Sequence, residues 1–171
     1  MAYPTALNRR EGIEEEPAYH LAFRERADER LDCVRVIRDK RYAYHKNYMP
    51  YAPAGQHLAY LWKAEATRAW EQHHREGKTD AITGRFFEPR VSEEFFDNVH
   101  NLIEADEHQE RIVELKNVLR QRQLELYDSG LLPEQMRVRR AKENGLMIYD
   151  MVRDEKLYPL ATYLDAADLA L

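Results

Sequence analysis

One cysteine, six glycines and no apolar run near the roughly 18 residues needed to cross a bilayer leave this 171-residue chain few of the usual routes to chemistry. A lone Cys33 excludes an intrachain disulfide and cannot by itself build a thiolate metal site, so it reads as a strand thiol packed like a small hydrophobe. There is no Gly-rich phosphate loop and no Gly-x-Ser-x-Gly elbow. The seven histidines, His20, His45, His57, His73, His74, His100 and His108, have no His-Glu-x-x-His or similar ligand spacing, so no protein metal site is expected. The first 30 residues lack an apolar centre followed by a small-residue cleavage site, and no signal peptide is expected in this chain.

What remains is a chain too apolar and too aromatic for disorder, 44% hydrophobic with 11 tyrosines, and long enough for one domain with its own core. The net charge of -5 is unevenly spread. Eight basic residues against five acidic ones lie between Arg24 and Lys46, whereas from Phe86 to Glu110 eight acidic residues face Arg90 alone. Two readings stay open: a locally positive surface that attracts anions, or two segments that neutralise each other across the fold. The mixed charge gives little net attraction for phosphate, so neither nucleic acid nor a membrane is an expected partner.

Residues 1–16 carry no periodicity and end in Glu14-Glu15-Glu16 before Pro17, a flexible lead-in. Residues 17–171 read as one α+β domain. Alternation predicts strands over 18–25, 31–38 and 41–48, the last two joined as a hairpin across Asp39-Lys40. In the third strand Tyr42, Tyr44, Lys46 and Tyr48 share one face and Ala43, His45 and Asn47 the other. Pro50, Pro53 and Gly55 precede a helix expected over 57–76, with Trp62 and Trp70 on its apolar side and Gly77 as its stop. Glu93 to Asp97 suits a short edge strand, its acidic pair Glu93-Glu94 read as a solvated face.

The longest helix is expected after Asp106, capped there with Gln109 completing a capping box, along the stripe Ile112, Leu115, Val118, Leu119 and Leu126. Pro133 suits the first position of a helix ending near Asn144-Gly145, and short helical segments follow around 147–155 and 163–171.

DERLDCVRVIRDKRYAYHKNYMPY, GQHLAYLWKAEATRAW, FFEPRVSEEFFD, NVHNLIEADEHQERIVELKNVLRQRQLELYDSGLLPE and YDMVRDEKLYPLATYLDAADLAL, in this order and spacing, resemble the C-terminal subdomain of bacterial sulfatases, especially the N-sulfoglucosamine sulfohydrolase-like members. The resemblance implies a small antiparallel sheet packed against a long C-terminal helix, appended to a large domain of the alkaline-phosphatase type. In that family the large domain holds calcium and a formylglycine made from the cysteine or serine of a Cys/Ser-x-Pro-Ser/Ala-Arg motif. Cys33 lies in Asp32-Cys33-Val34-Arg35 and does not match it, and no position here matches the metal ligands. The chain departs from the family at Ala43, commonly lysine, at His45, commonly aliphatic, and in a shortened turn between Asp97 and Asn98.

By resemblance, then, this is the part of a sulfatase that shapes the substrate cleft, inactive alone, with no catalytic residue or cofactor in the chain. Its expected partners are the sulfatase catalytic domain or a sulfated glycan. An uncovered apolar face would favour self-association, and family members are often exported. The residues singled out for substrate binding surround the strand-to-helix turn: Lys46 as a positive charge, and Asn47, Tyr48, Gln56 and His57 as hydrogen-bonding groups for sulfate or sugar hydroxyls. Two other readings of the chain are a non-catalytic module for anionic saccharides and a helical interaction domain using the tryptophan stripe.

Overall fold

The computed structural model describes residues 17–26, 28–97 and 99–170; the expected lead-in over 1–16 lies outside them. Four strands, β1 (His20–Arg24), β2 (Val34–Arg38), β3 (Ala43–Asn47) and β4 (Glu93–Phe96), form an antiparallel sheet in sequence order. Leu21, Ile37, Tyr44 and Phe95 lie side by side in register and present one apolar row on a single face. Against that row packs α3 (Gln109–Glu125), which contributes Ile112, Leu115 and Leu119. Tyr42 stacks on Phe95 with ring centroids 5.0 Å apart, extending this core. The architecture is α+β, as expected, and the lysine-bearing row of β3 faces the helix.

The β2–β3 connection is longer than the two residues expected. Arg38 pairs with Ala43, so residues 39–42 make the loop, and the Asp39 carboxylate replaces Asn-Gly chemistry by accepting the N–H groups of Arg41 and Tyr42 at 2.6 and 2.7 Å. Arg111 of α3 pairs with the same carboxylate and anchors the loop to the helix.

Residues 48–92 leave the sheet after β3 and return at β4, where the Asn47 N–H bonds Ser92 O at 2.8 Å. This lobe carries α1 (Ala59–Trp62) and α2 (Glu65–Arg75), not one continuous helix over 57–76. Ala64 is extended, and the Arg68 guanidinium bonds the carbonyls of Trp62 and Lys63 at 2.7 and 2.9 Å, which ends the first helix and opens the second. Trp70 stacks on Phe86 at 4.7 Å and meets Phe87 edge-on at 5.0 Å while staying partly exposed, and the Trp62 indole N–H donates to Glu71 at 2.8 Å, so the two tryptophans fasten α2 within the lobe.

Asp106 begins a short 3-10 turn (Asp106–His108) rather than capping α3, and the capping box does not form: Gln109 donates to the Ile103 and Ala105 carbonyls instead. Pro133 stands as the N-cap of α4 (Glu134–Glu143), one position before the one expected. Gly77 and Gly145, at φ near +67° and +66°, terminate α2 and α4 where expected, each in the paired i→i−5 and i→i−3 bonding of a left-handed helix stop. The chain closes with α5 (Ile148–Met151) and α6 (Leu160–Ala170), the latter starting three residues before its expected position. Met151, Val152, Tyr158, Leu160 and Leu164 form a second core, onto which Leu124 and Tyr48 also pack. No helix among the described residues is long and apolar enough to cross a membrane.

Candidate functional site

Period-2 geometry sends Tyr44, Lys46 and Tyr48 toward α3, where they line a cavity of about 310 Å³ shared with Lys116, Arg120, Gln123 and Asp168. The Lys46 ammonium is buried and held by Glu93, its register partner on β4, at 3.1 Å and by Asp168 of α6 at 3.0 Å. Lys116 reaches the other Glu93 oxygen at 2.5 Å, and Arg120 pairs with Asp165 at 2.5 Å and with Asp168 at 3.7 Å. Three cations and three carboxylates thus alternate in a continuous chain, from Lys116 through Glu93, Lys46, Asp168 and Arg120 to Asp165, that links sheet, α3 and α6. Burial pushes the Glu93 carboxyl up, but Lys116 and Lys46 outweigh it and leave it below its ordinary range. Glu93 is therefore a paired, partly buried group and not the solvated acid read from the sequence, while Glu94 pairs with Arg85 at 2.6 Å.

Burial raises the Tyr44 phenol, with the Glu93 charge adding to it, and burial likewise raises Tyr48. Both stay protonated as hydrogen-bonding groups. The Tyr48 hydroxyl donates to Gln123 Oε1 at 3.1 Å, and Gln123 Nε2 donates to Asp128 at 2.9 Å, carrying the network into the sheet's interior. There Arg35 forks onto Asp128 with two bonds of 2.7 Å and reaches Glu25 at 2.7 Å.

The other three residues singled out in the sequence lie elsewhere. Asn47 points to the opposite side of β3, donating to Val91 O at 3.2 Å and accepting the Met49 N–H at 3.0 Å. Gln56 donates to Leu31 O at 2.5 Å, and His57 lies against Trp62 with centroids 5.0 Å apart. Gly55 fixes this turn: a Cβ there would lie 2.5 Å from the Phe86 ring, so only glycine admits the close approach. The structure brings Lys46 and Tyr48 to one cavity and leaves Asn47, Gln56 and His57 outside it.

Glu93, Lys116, Arg120 and Asp168 were not recognised as partners of Lys46 from the sequence. The signal available was the β3–β4 register, which puts Glu93 opposite Lys46 across a separation of 47 residues. Cys33 is buried with its sulfur 3.7 Å from Gly130 O, and burial pushes its thiol up to about 11, the state of a packed thiol rather than of a nucleophile. Among the described residues, no three or more His, Cys, Asp or Glu side chains are grouped to hold a metal ion.

No family model matches the chain. Over 126 residues, 70% of this chain, it is 29% identical to the ulvan-active sulfatase of Formosa agariphila, of which the match covers 21%. The chain thus spans about a fifth of that relative's length. At this coarse level the chain is similar to a sulfatase, with its own ionic cavity between sheet and helices.

Proposed function

We propose that this chain is the C-terminal portion of a sulfatase-type protein, one that shapes a cleft for sulfated saccharide and releases no sulfate alone. The observation that carries the reading is the 126-residue similarity to the ulvan-active sulfatase, supported by the sheet-and-helix architecture that the sequence resemblance implied. Catalysis, with its calcium and formylglycine, belongs in this reading to a domain outside these residues, and that domain is the expected partner. Lys46, Asn47 and Tyr48 serve by fixing β3 to its neighbours, since each is committed to internal bonds. Gln56 is likewise spent on the Leu31 carbonyl, so His57, exposed at the turn, is the member placed to touch a saccharide.

The test has two arms. With calcium supplied, the purified chain should release no sulfate from a chromogenic aryl sulfate or from N-sulfated glucosamine; measurable turnover overturns the division of labour. In a native gel cast with ulvan, the chain should migrate more slowly than in plain gel, an effect that weakens with added salt. Unretarded migration at low salt counts against saccharide recognition.

A further inference from the structure

Three of the helices stop in the same paired backbone bonds, but glycine makes the stop in two of them. After α3, Tyr127 stands where Gly77 and Gly145 stand after α2 and α4, at φ 53°, with its N–H on Leu124 O at 3.2 Å and the Asp128 N–H on Gln123 O at 3.0 Å. A Cβ disfavours this left-handed conformation, which is why glycine usually takes it. Tyr127 therefore holds backbone strain at a surface position, since the residue is 40% exposed.

Its ring meets Arg153, in the turn that follows α5. The guanidinium carbon lies 4.6 Å from the Tyr127 centroid and 3.4 Å from that of Tyr149 on α5, so the arginine stacks against both rings. Stacking occupies the faces of a guanidinium and leaves the N–H groups in its plane free to donate. One of them is used: Nη1 donates to Tyr149 O at 3.0 Å. Among the described residues no carboxylate pairs with Arg153, although Asp150, Asp154 and Glu155 flank it in sequence, and neither phenol hydroxyl has a hydrogen-bond partner. Arg153 and Tyr149 are both exposed.

The stack thus presents an accessible, flat guanidinium with Nε and Nη2 unspent. Those two nitrogens make a fork for an acidic group with two or more oxygens, and the hydroxyls of the same rings are further donors. The exposed parts of the rings offer apolar surface to the C–H groups of a sugar.

We propose that Tyr127, Arg153 and Tyr149 form a surface subsite for a saccharide carrying an acidic group, sulfate or carboxylate. The acid follows from the arginine; that a sugar carries it rests on the saccharide reading above. The subsite is built from the end of α3 and from α5, and it shares no residue with the Lys46 cavity or the His57 turn.

The full chain is titrated with glucosamine N-sulfate, glucuronate, neutral N-acetylglucosamine, and free sulfate and acetate, at constant ionic strength set with sodium chloride. The Arg153 Nε–Hε and Tyr149 ring resonances are followed by NMR. Arg153 should shift saturably with one or both acidic sugars and not with N-acetylglucosamine, while Arg75, already paired with Glu71, should not saturate. The sugar that saturates assigns sulfate or carboxylate. Arg153→Lys keeps the charge but loses the fork, and should weaken the affinity read at the Tyr149 ring at least about tenfold. Tyr127→Gly should weaken it too while leaving the urea midpoint at or above that of the parent chain, because the strain is gone. If free sulfate or acetate saturates Arg153 as tightly as the sugars do, the acidic-group site stands and the saccharide reading falls. Linear shifts with every probe, equal saturation by N-acetylglucosamine, an affinity unchanged in Arg153→Lys, or a Tyr127→Gly chain that loses stability but no affinity overturn the site.

Discussion

Arg35 is the residue on which most of the interior polar network depends. Its guanidinium is almost fully buried, and its bidentate partner Asp128 in turn holds Gln123 and the Gly130 N–H. Burial alone would raise the Asp128 carboxyl, yet Arg35 outweighs it and keeps the group below its usual range. Arg35→Met leaves that carboxylate buried and unpaired and should cost about 3–5 kcal/mol, seen as a lower urea midpoint by far-UV circular dichroism. Replacing the exposed Arg75, paired with Glu71 along one helix, should shift the midpoint little. At Cys33 the raised thiol and burial together predict slow alkylation by iodoacetamide at pH 7.5 in the folded chain, with one equivalent taken up in urea. Rapid native labelling would contradict the packed position.

At the level of elements, alternation and helical stripes were legible wherever one face met the core, which is why the strands, the long helix and both glycine stops were found. What failed were local junctions settled by distant side chains. The split between α1 and α2 depends on Arg68 reaching back to two carbonyls, and the start of α3 on Gln109 turning toward residues 103 and 105. Neither is a propensity effect. The lobe over 48–92 supplies an element-scale test, because both tryptophans lie in it and report on it alone. Gly55→Ala forces a methyl into Phe86 and should destabilise the lobe by about 1–3 kcal/mol. Tryptophan fluorescence should then change at lower urea than the circular dichroism of sheet and α3; coincident transitions would show that lobe and sheet unfold as one.

Across the whole molecule, charge joins layers that the two apolar cores leave separate. Glu93 ties β4 to β3 and α3 through two lysines, and Asp128 ties the segment after α3 to β2. Both carboxyls are held below their ordinary values, about 4.3 and 3.9, so the unfolded chain binds protons more readily. Their contribution is fully present above those ordinary values and is lost as pH falls through the folded ones. The urea midpoint should be nearly level between about pH 7 and pH 5 and fall steeply below about pH 4; a midpoint independent of pH down to about pH 3 would mean that these pairs contribute nothing. The candidate sites were half legible for the same reason that these links span layers. Lys46 and Tyr48 share a face by strand period, but Glu93 and Asp168 reach Lys46 only through tertiary register, just as Arg90 meets Asp32 across 58 residues.

Because the lobe departs from one strand and rejoins its immediate neighbour, its two ends already sit a ladder rung apart. Excising it is geometrically simple, since a tight reverse turn spans the gap without re-registering the sheet, but chemically costly, because Arg90 leaves with it and strips the buried Asp32 carboxylate of its bidentate partner.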